Sequence, residues 1–77
     1  MQLPERISTP FTTLLNCRYP IIAGPMFLVS DENLVTAVSE AGGIGGMPSL
    51  NWRQTSEFRK AVQTIKSRTR QPFAVNL

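Results

Sequence analysis

The 77-residue chain is 42% apolar and 17% charged, which fits at most one small ordered domain and is too apolar and patterned for a disordered segment. The single cysteine excludes an internal disulfide, and the lack of histidine excludes a Cys–His nucleophilic pair or a Cys/His metal site. The net charge of +3 comes from eight Lys and Arg scattered from Arg6 to Arg70, without the dense basic stripe or interleaved aromatics of a nucleic-acid surface.

No apolar run approaches the ~20 residues needed to cross a bilayer, and Met1 to Arg6 lack the apolar core of a signal peptide. A soluble protein of the reducing cytoplasm is the simplest reading. Cys17 then reads as a small, partly buried apolar residue.

Residues 1–18 read as an N-terminal arm and turn. Pro4 and Pro10 interrupt any periodicity, and Phe11 to Leu15 form a short helical turn that Asn16 ends in the left-handed conformation. Tyr19-Pro20-Ile21-Ile22-Ala23 is a first strand, bounded by Gly24 and Pro25 and apolar enough to be covered on both faces. Ser30 is placed to cap a helix whose first turn carries Asp31 and Glu32. Its apolar stripe is Leu34, Ala37, Val38 and Ala41, and Gly42 is its left-handed stop.

Ile44-Gly45-Gly46-Met47 is too short for a helix and reads as a second strand. Its glycine pair allows either a tight turn or the close approach of a backbone or ligand. A second long helix runs from about Thr55 to Arg68 on the stripe Phe58, Ala61, Val62 and Ile65. After Pro72, Phe73 to Leu77 form a third strand.

The order over residues 19–77 is βαβαβ, most simply with parallel strands. Ile22 and Ile44 are 22 positions apart and Ile44 and Val75 are 31 apart. The second spacing matches the roughly 31 residues per unit of a (β/α)8 barrel of about 250 residues. The fold class expected is therefore α/β, the N-terminal βαβαβ portion of an incomplete TIM barrel. Its third strand is left as an uncovered apolar edge that further chain should cover.

In such folds ligands gather at the carboxyl ends of the strands, here Gly24-Pro25-Met26, Gly45-Gly46-Met47 and Asn76. None of these is a general acid or base at neutral pH. They offer backbone groups and one side-chain amide, a set that suits a flat heteroaromatic ring as well as it suits tight turns. A dinucleotide fingerprint does not fit Gly43-Ile44-Gly45-Gly46, because these glycines follow a helix and enter a strand, and Pro48 takes the place of the last glycine.

Three segments together carry a family likeness: Tyr19 to Met26, Ala37 to Gly45, and Pro72 to Leu77. With them the chain resembles the N-terminal part of the nitronate monooxygenase (2-nitropropane dioxygenase) family, which includes flavin-dependent enoyl-acyl-carrier-protein reductases. The resemblance implies a TIM barrel holding FMN, with Gly24, Pro25 and Met26 lining the flavin through their backbone and Asn76 offering its amide. Gly45 and Gly46 are further neighbours it implies, and Met26 and Met47 either touch the ring or pack the barrel mouth.

The family's phosphate-binding loops and the catalytic histidine of many nitronate-oxidising members fall beyond Leu77. Asn16 stands where relatives commonly have glycine. The implied activity is oxidation of a nitronate by molecular oxygen. The alternatives are enoyl reduction with a nicotinamide donor, or a remnant that binds no flavin.

Overall fold

The structure is a computed structural model describing residues 4–77, so the first three residues of the expected arm lie outside it. From Pro4 to Thr9 the chain has no regular secondary structure and is tied to the segment ahead of the first strand. The Ile7 N–H donates to Arg18 O (2.8 Å), and the Tyr19 hydroxyl donates to Pro4 O (2.8 Å).

Helix α1 (Pro10–Leu15) opens with proline in its first turn, where a missing N–H is harmless, and with a reciprocal capping box between Thr9 and Thr12. It closes at Asn16 in the left-handed region, φ 55°, as the sequence predicts. Cys17 is buried, with its thiol directed at Tyr19 O.

Three strands follow in sequential order and pair in parallel: β1 (Ile22–Ala23), β2 (Ile44–Pro48) and β3 (Phe73–Asn76). Helices α2 (Glu32–Glu40) and α3 (Thr55–Arg68) make the two crossovers, and a 3₁₀ turn over Ser49–Asn51 follows β2. The α/β class and the βαβαβ order are those expected.

Both helices supply one apolar core on a single face of the sheet. Val35, Met47 and Ile65 are fully buried there, with Trp52, Phe58, Val62, Phe73 and Val75 packed around them. Each of the three central side chains contributes about 1.5–3 kcal/mol by leaving water. The stripe predicted for α3 matches its buried face, which centres on Ala61 and Ile65.

Three details differ from the sequence expectation. The cap of α2 is Asp31, whose carboxylate accepts the Leu34 N–H at 3.0 Å, while Ser30 turns its hydroxyl back to the preceding loop. The buried face of α2 centres on Val35 and Ser39, and Ala37 and Ala41 are exposed. A serine fits there because its hydroxyl accepts the Gly45 N–H (3.1 Å) and donates to Pro72 O (2.9 Å), stitching the helix to the approaches of two strands. Finally, β1 spans only Ile22–Ala23 of the expected Tyr19–Ala23 and lies at the edge of the three described strands, where Ile21 and Ile22 are exposed.

Gly42 takes φ 109°, the expected left-handed stop, and a Cβ there would lie 2.9 Å from the Tyr19 ring. Its carbonyl accepts the N–H groups of Arg18 (3.0 Å) and Tyr19 (2.9 Å), just upstream of the first rung between Ile21 O and Ile44 N.

Candidate functional site at the strand ends

The parallel pairing brings the carboxyl ends of all three strands to one edge of the sheet. Which residues face which way follows from the register. A Cβ on Gly45 would lie 2.5 Å from Val35 O, so the bare side of Gly45 is pressed against α2. Met47, Phe73 and Val75 share that helix-covered face and belong to the core.

The alternate residues therefore occupy the opposite, open face. They are Ile44, Gly46 and Pro48 on β2, all buried, and Ala74 and Asn76 on β3, both exposed and paired with Gly46 and Pro48. Gly24, one residue past the end of β1, extends the row of small residues formed by Gly46 and Ala74. Around a Cβ built on Gly24 there is no atom within 4 Å. Asn76 and Ala74 are exposed.

Gly46 is buried under the loop that leaves β1. A Cβ there would meet Ala23 O at 3.0 Å and Pro25 Cδ at 3.4 Å, so the glycine lets Pro25 lie against β2. The glycine pair thus has two separate packing partners, a helix backbone for Gly45 and the Gly24-Pro25 loop for Gly46. Met47 is completely buried among helix residues, which places it in the core and not at a barrel mouth. Met26 is half exposed.

The loop from Gly24 to Ser30 is closed by its own polar groups. The Met26 N–H donates to Ser30 Oγ (2.8 Å), and Met26 O accepts from both Val29 N (3.0 Å) and Ser30 N (2.8 Å). The backbone of Met26 is therefore occupied on both sides. Asn51 braces the same loop from the turn after β2: its Oδ1 accepts the Leu28 N–H (2.6 Å) and its Nδ2 donates to Ser30 O (2.8 Å). Sequence reasoning passed over Asn51 and this use of Ser30. The partners are 21 and 23 positions apart, and no periodicity links them.

The arrangement presents small exposed residues, Gly24 and Ala74, on either side of a Gly46 covered by the proline-stiffened loop, with the carboxamide of Asn76 beyond them. It can hold a planar group and hydrogen-bond its edge, but it provides no acid or base. A groove of about 250 Å³ lined by Glu32, Trp52, Glu57, Lys60, Ala61 and Thr64 lies on the helix side and contains none of the predicted site residues. Among the described residues no cluster of three or more His, Cys, Asp or Glu is placed to hold a metal ion, and no helix is long and apolar enough to cross a membrane.

Comparison with known proteins gives this arrangement a family. The chain is 39% identical over 67 residues to a Pseudomonas aeruginosa protein named nitronate monooxygenase, covering 87% of this chain and 19% of that one. It is 33% identical over 72 residues to a Mycobacterium tuberculosis protein named (3aS,4S,5R,7aS)-5-hydroxy-7a-methyl-1-oxo-octahydro-1H-indene-4-carboxyl-CoA dehydrogenase, covering 94% of this chain and 20% of that one.

Among solved structures, FabK from Thermotoga maritima matches with a TM-score of 0.82 and 35% identity, over 92% of this chain and 22% of that chain. The chain thus spans about a fifth of the length of the curated relatives it matches. Its fold is the βαβαβ portion of a (β/α)8 barrel. The family model described as nitronate monooxygenase matches residues 8–77, taking in every helix and strand described above, and the chain belongs to that family.

Proposed function

We propose that residues 1–77 form part of one FMN-binding barrel domain and supply one wall of its flavin pocket, in a cytoplasmic oxidoreductase that oxidises alkyl nitronates with molecular oxygen. The observation that carries this reading is the open face at the strand ends, where the space beside Gly24 is clear to 4 Å and Asn76 is exposed on the same side. A planar ring fits such a surface, and family membership supports flavin as the ring.

FMN, when bound, supplies the capacity to take electrons from a nitronate and deliver them to oxygen. The residues of this chain hold and orient it. Gly24 and Pro25 offer an unobstructed backbone plane. Met26 contributes its exposed side chain, since its own N–H and C=O are engaged within the loop. Asn76 offers a donor and an acceptor to the ring edge. Gly46 seats the Pro25 loop on the open face, and Gly45 keeps β2 close to α2 behind it, so both glycines shape the wall.

The test is FMN affinity. Asn76→Ala should weaken FMN binding roughly 3- to 10-fold, the loss of one net hydrogen bond. A purified protein that is colourless, and whose melting temperature does not move when FMN is added, defeats the flavin reading. A second reading, flavin-dependent enoyl-acyl-carrier-protein reduction, takes its support from the TM-score of 0.82 with FabK. Nitronate-dependent oxygen consumption favours the first reading, and enoyl-dependent oxidation of a nicotinamide donor favours the second.

A further inference from the structure

The apolar side chains at the tip of the loop after β1 are not what holds it. Met26, Phe27, Leu28 and Val29 are 51%, 60%, 70% and 59% exposed, and yet the loop includes Leu28 at φ 63°, a conformation that side chains other than glycine disfavour. Beside the loop's own hydrogen bonds, among them those from Val29 N and Ser30 N to Met26 O, one side-chain amide braces it from outside. Asn51 Oδ1 takes the Leu28 N–H at 2.6 Å, and Asn51 Nδ2 gives to Ser30 O at 2.8 Å. Ser30 Oγ in turn takes the Met26 N–H at 2.8 Å and reaches Gly24 O at 3.4 Å.

A continuous chain of hydrogen bonds therefore runs from the turn after the second strand to Gly24 and Met26. A carboxamide suits the position because it carries a donor and an acceptor side by side in one plane. Alanine offers neither, and aspartate offers only acceptors at neutral pH.

We infer that Asn51 is a positioning residue for the flavin wall: it touches no part of the proposed ring site and fixes the Gly24–Ser30 loop in the shape that receives the ring. This rests on the flavin reading above. The end of the second strand then governs the geometry offered by the first.

The experiment compares wild type, Asn51→Ala and Asn51→Asp with FMN as the probe. The readouts are its dissociation constant, the visible circular dichroism of the bound flavin, and the melting temperature without flavin. Asn51→Ala is expected to raise the dissociation constant about tenfold and to alter the flavin dichroism, since two hydrogen bonds and the support of a left-handed residue are lost together. Asn51→Asp, which keeps the acceptor for Leu28, is expected to fall between the two.

If wild type binds FMN while Asn51→Ala binds it with the same constant and dichroism, the inference is overturned and the flavin reading stands. A lowered melting temperature with both flavin signals unchanged assigns Asn51 to stability alone and overturns it equally. A wild type that binds no FMN overturns both. If Asn51→Ala does not fold, Asn51→Asp decides by the same criteria.

Discussion

Gly45 and Gly46 are adjacent and chemically identical, and adding one methyl group to each should have different outcomes. In Gly45→Ala the new Cβ would lie 2.5 Å from Val35 O and 2.8 Å from Val35 Cα. Both are helix backbone atoms, and no rotamer change relieves the contact. To reach ordinary contact, α2 must retreat by about 0.9 Å, which draws the fully buried Val35 away from Met47 and Ile65 and forfeits a quarter to a half of those dispersion contacts.

Overpacking of this kind costs about 2–3 kcal/mol, and loss of glycine's freedom in the unfolded chain offsets about 0.4–1 kcal/mol. The net destabilisation expected is about 1–2.6 kcal/mol. In Gly46→Ala the nearest atoms are Ala23 O at 3.0 Å and Pro25 Cδ at 3.4 Å, both farther than the Val35 atoms, so the overpacking is milder and the two terms should roughly cancel. Urea unfolding followed by far-ultraviolet circular dichroism measures both. If Gly45→Ala loses no more stability than Gly46→Ala, the assignment of the two glycines to opposite faces is wrong.

Ser39→Ala removes the acceptor of the buried Gly45 N–H and the donor to Pro72 O, and should destabilise the protein by about 1–3 kcal/mol in the same assay. A change within experimental error would show that the hydroxyl is dispensable. Gly24→Val adds bulk where no atom lies within 4 Å, so stability should stay within about 0.5 kcal/mol while FMN affinity, measured by fluorescence quenching, falls. Unchanged affinity would remove Gly24 from the wall.

The sequence reveals the strands and the second long helix because each is an apolar run or stripe bracketed by glycine or proline. The Phe58, Ala61, Val62 and Ile65 stripe matches the structure, as do the left-handed stops at Asn16 and Gly42. Apolar spacing misplaces the buried face of α2 because its centre holds a serine. Hydrophobic periodicity does not count Ser39, although its hydroxyl is fully satisfied by backbone groups.

The cap at Asp31 was hidden by an equally good cap former beside it, whose hydroxyl is spent on the loop instead. Within the candidate site, the strand-end residues were legible from topology alone. Three things were not: the separate directions of Gly45 and Gly46, the burial of Met47, and the brace from Asn51. Each depends on register or on contacts between distant segments, which local pattern does not encode.

The doubly used carbonyl of Gly42 has a consequence for which changes in length this fold tolerates. Arg18 and Tyr19 are fastened to that carbonyl before the ladder begins, so the register of β2 against β1 is counted from Gly42. One extra residue between Gly42 and Gly45 would turn β2 over. Met47 would then move into the slot of Pro48 on the opposite face and Gly46 into the slot of Met47, so the core beneath α2 would lose one of its three fully buried apolar side chains. Related chains should therefore vary in length in the exposed stretch around Arg53 and Gln54, and keep the count from Gly42 to Pro48 fixed.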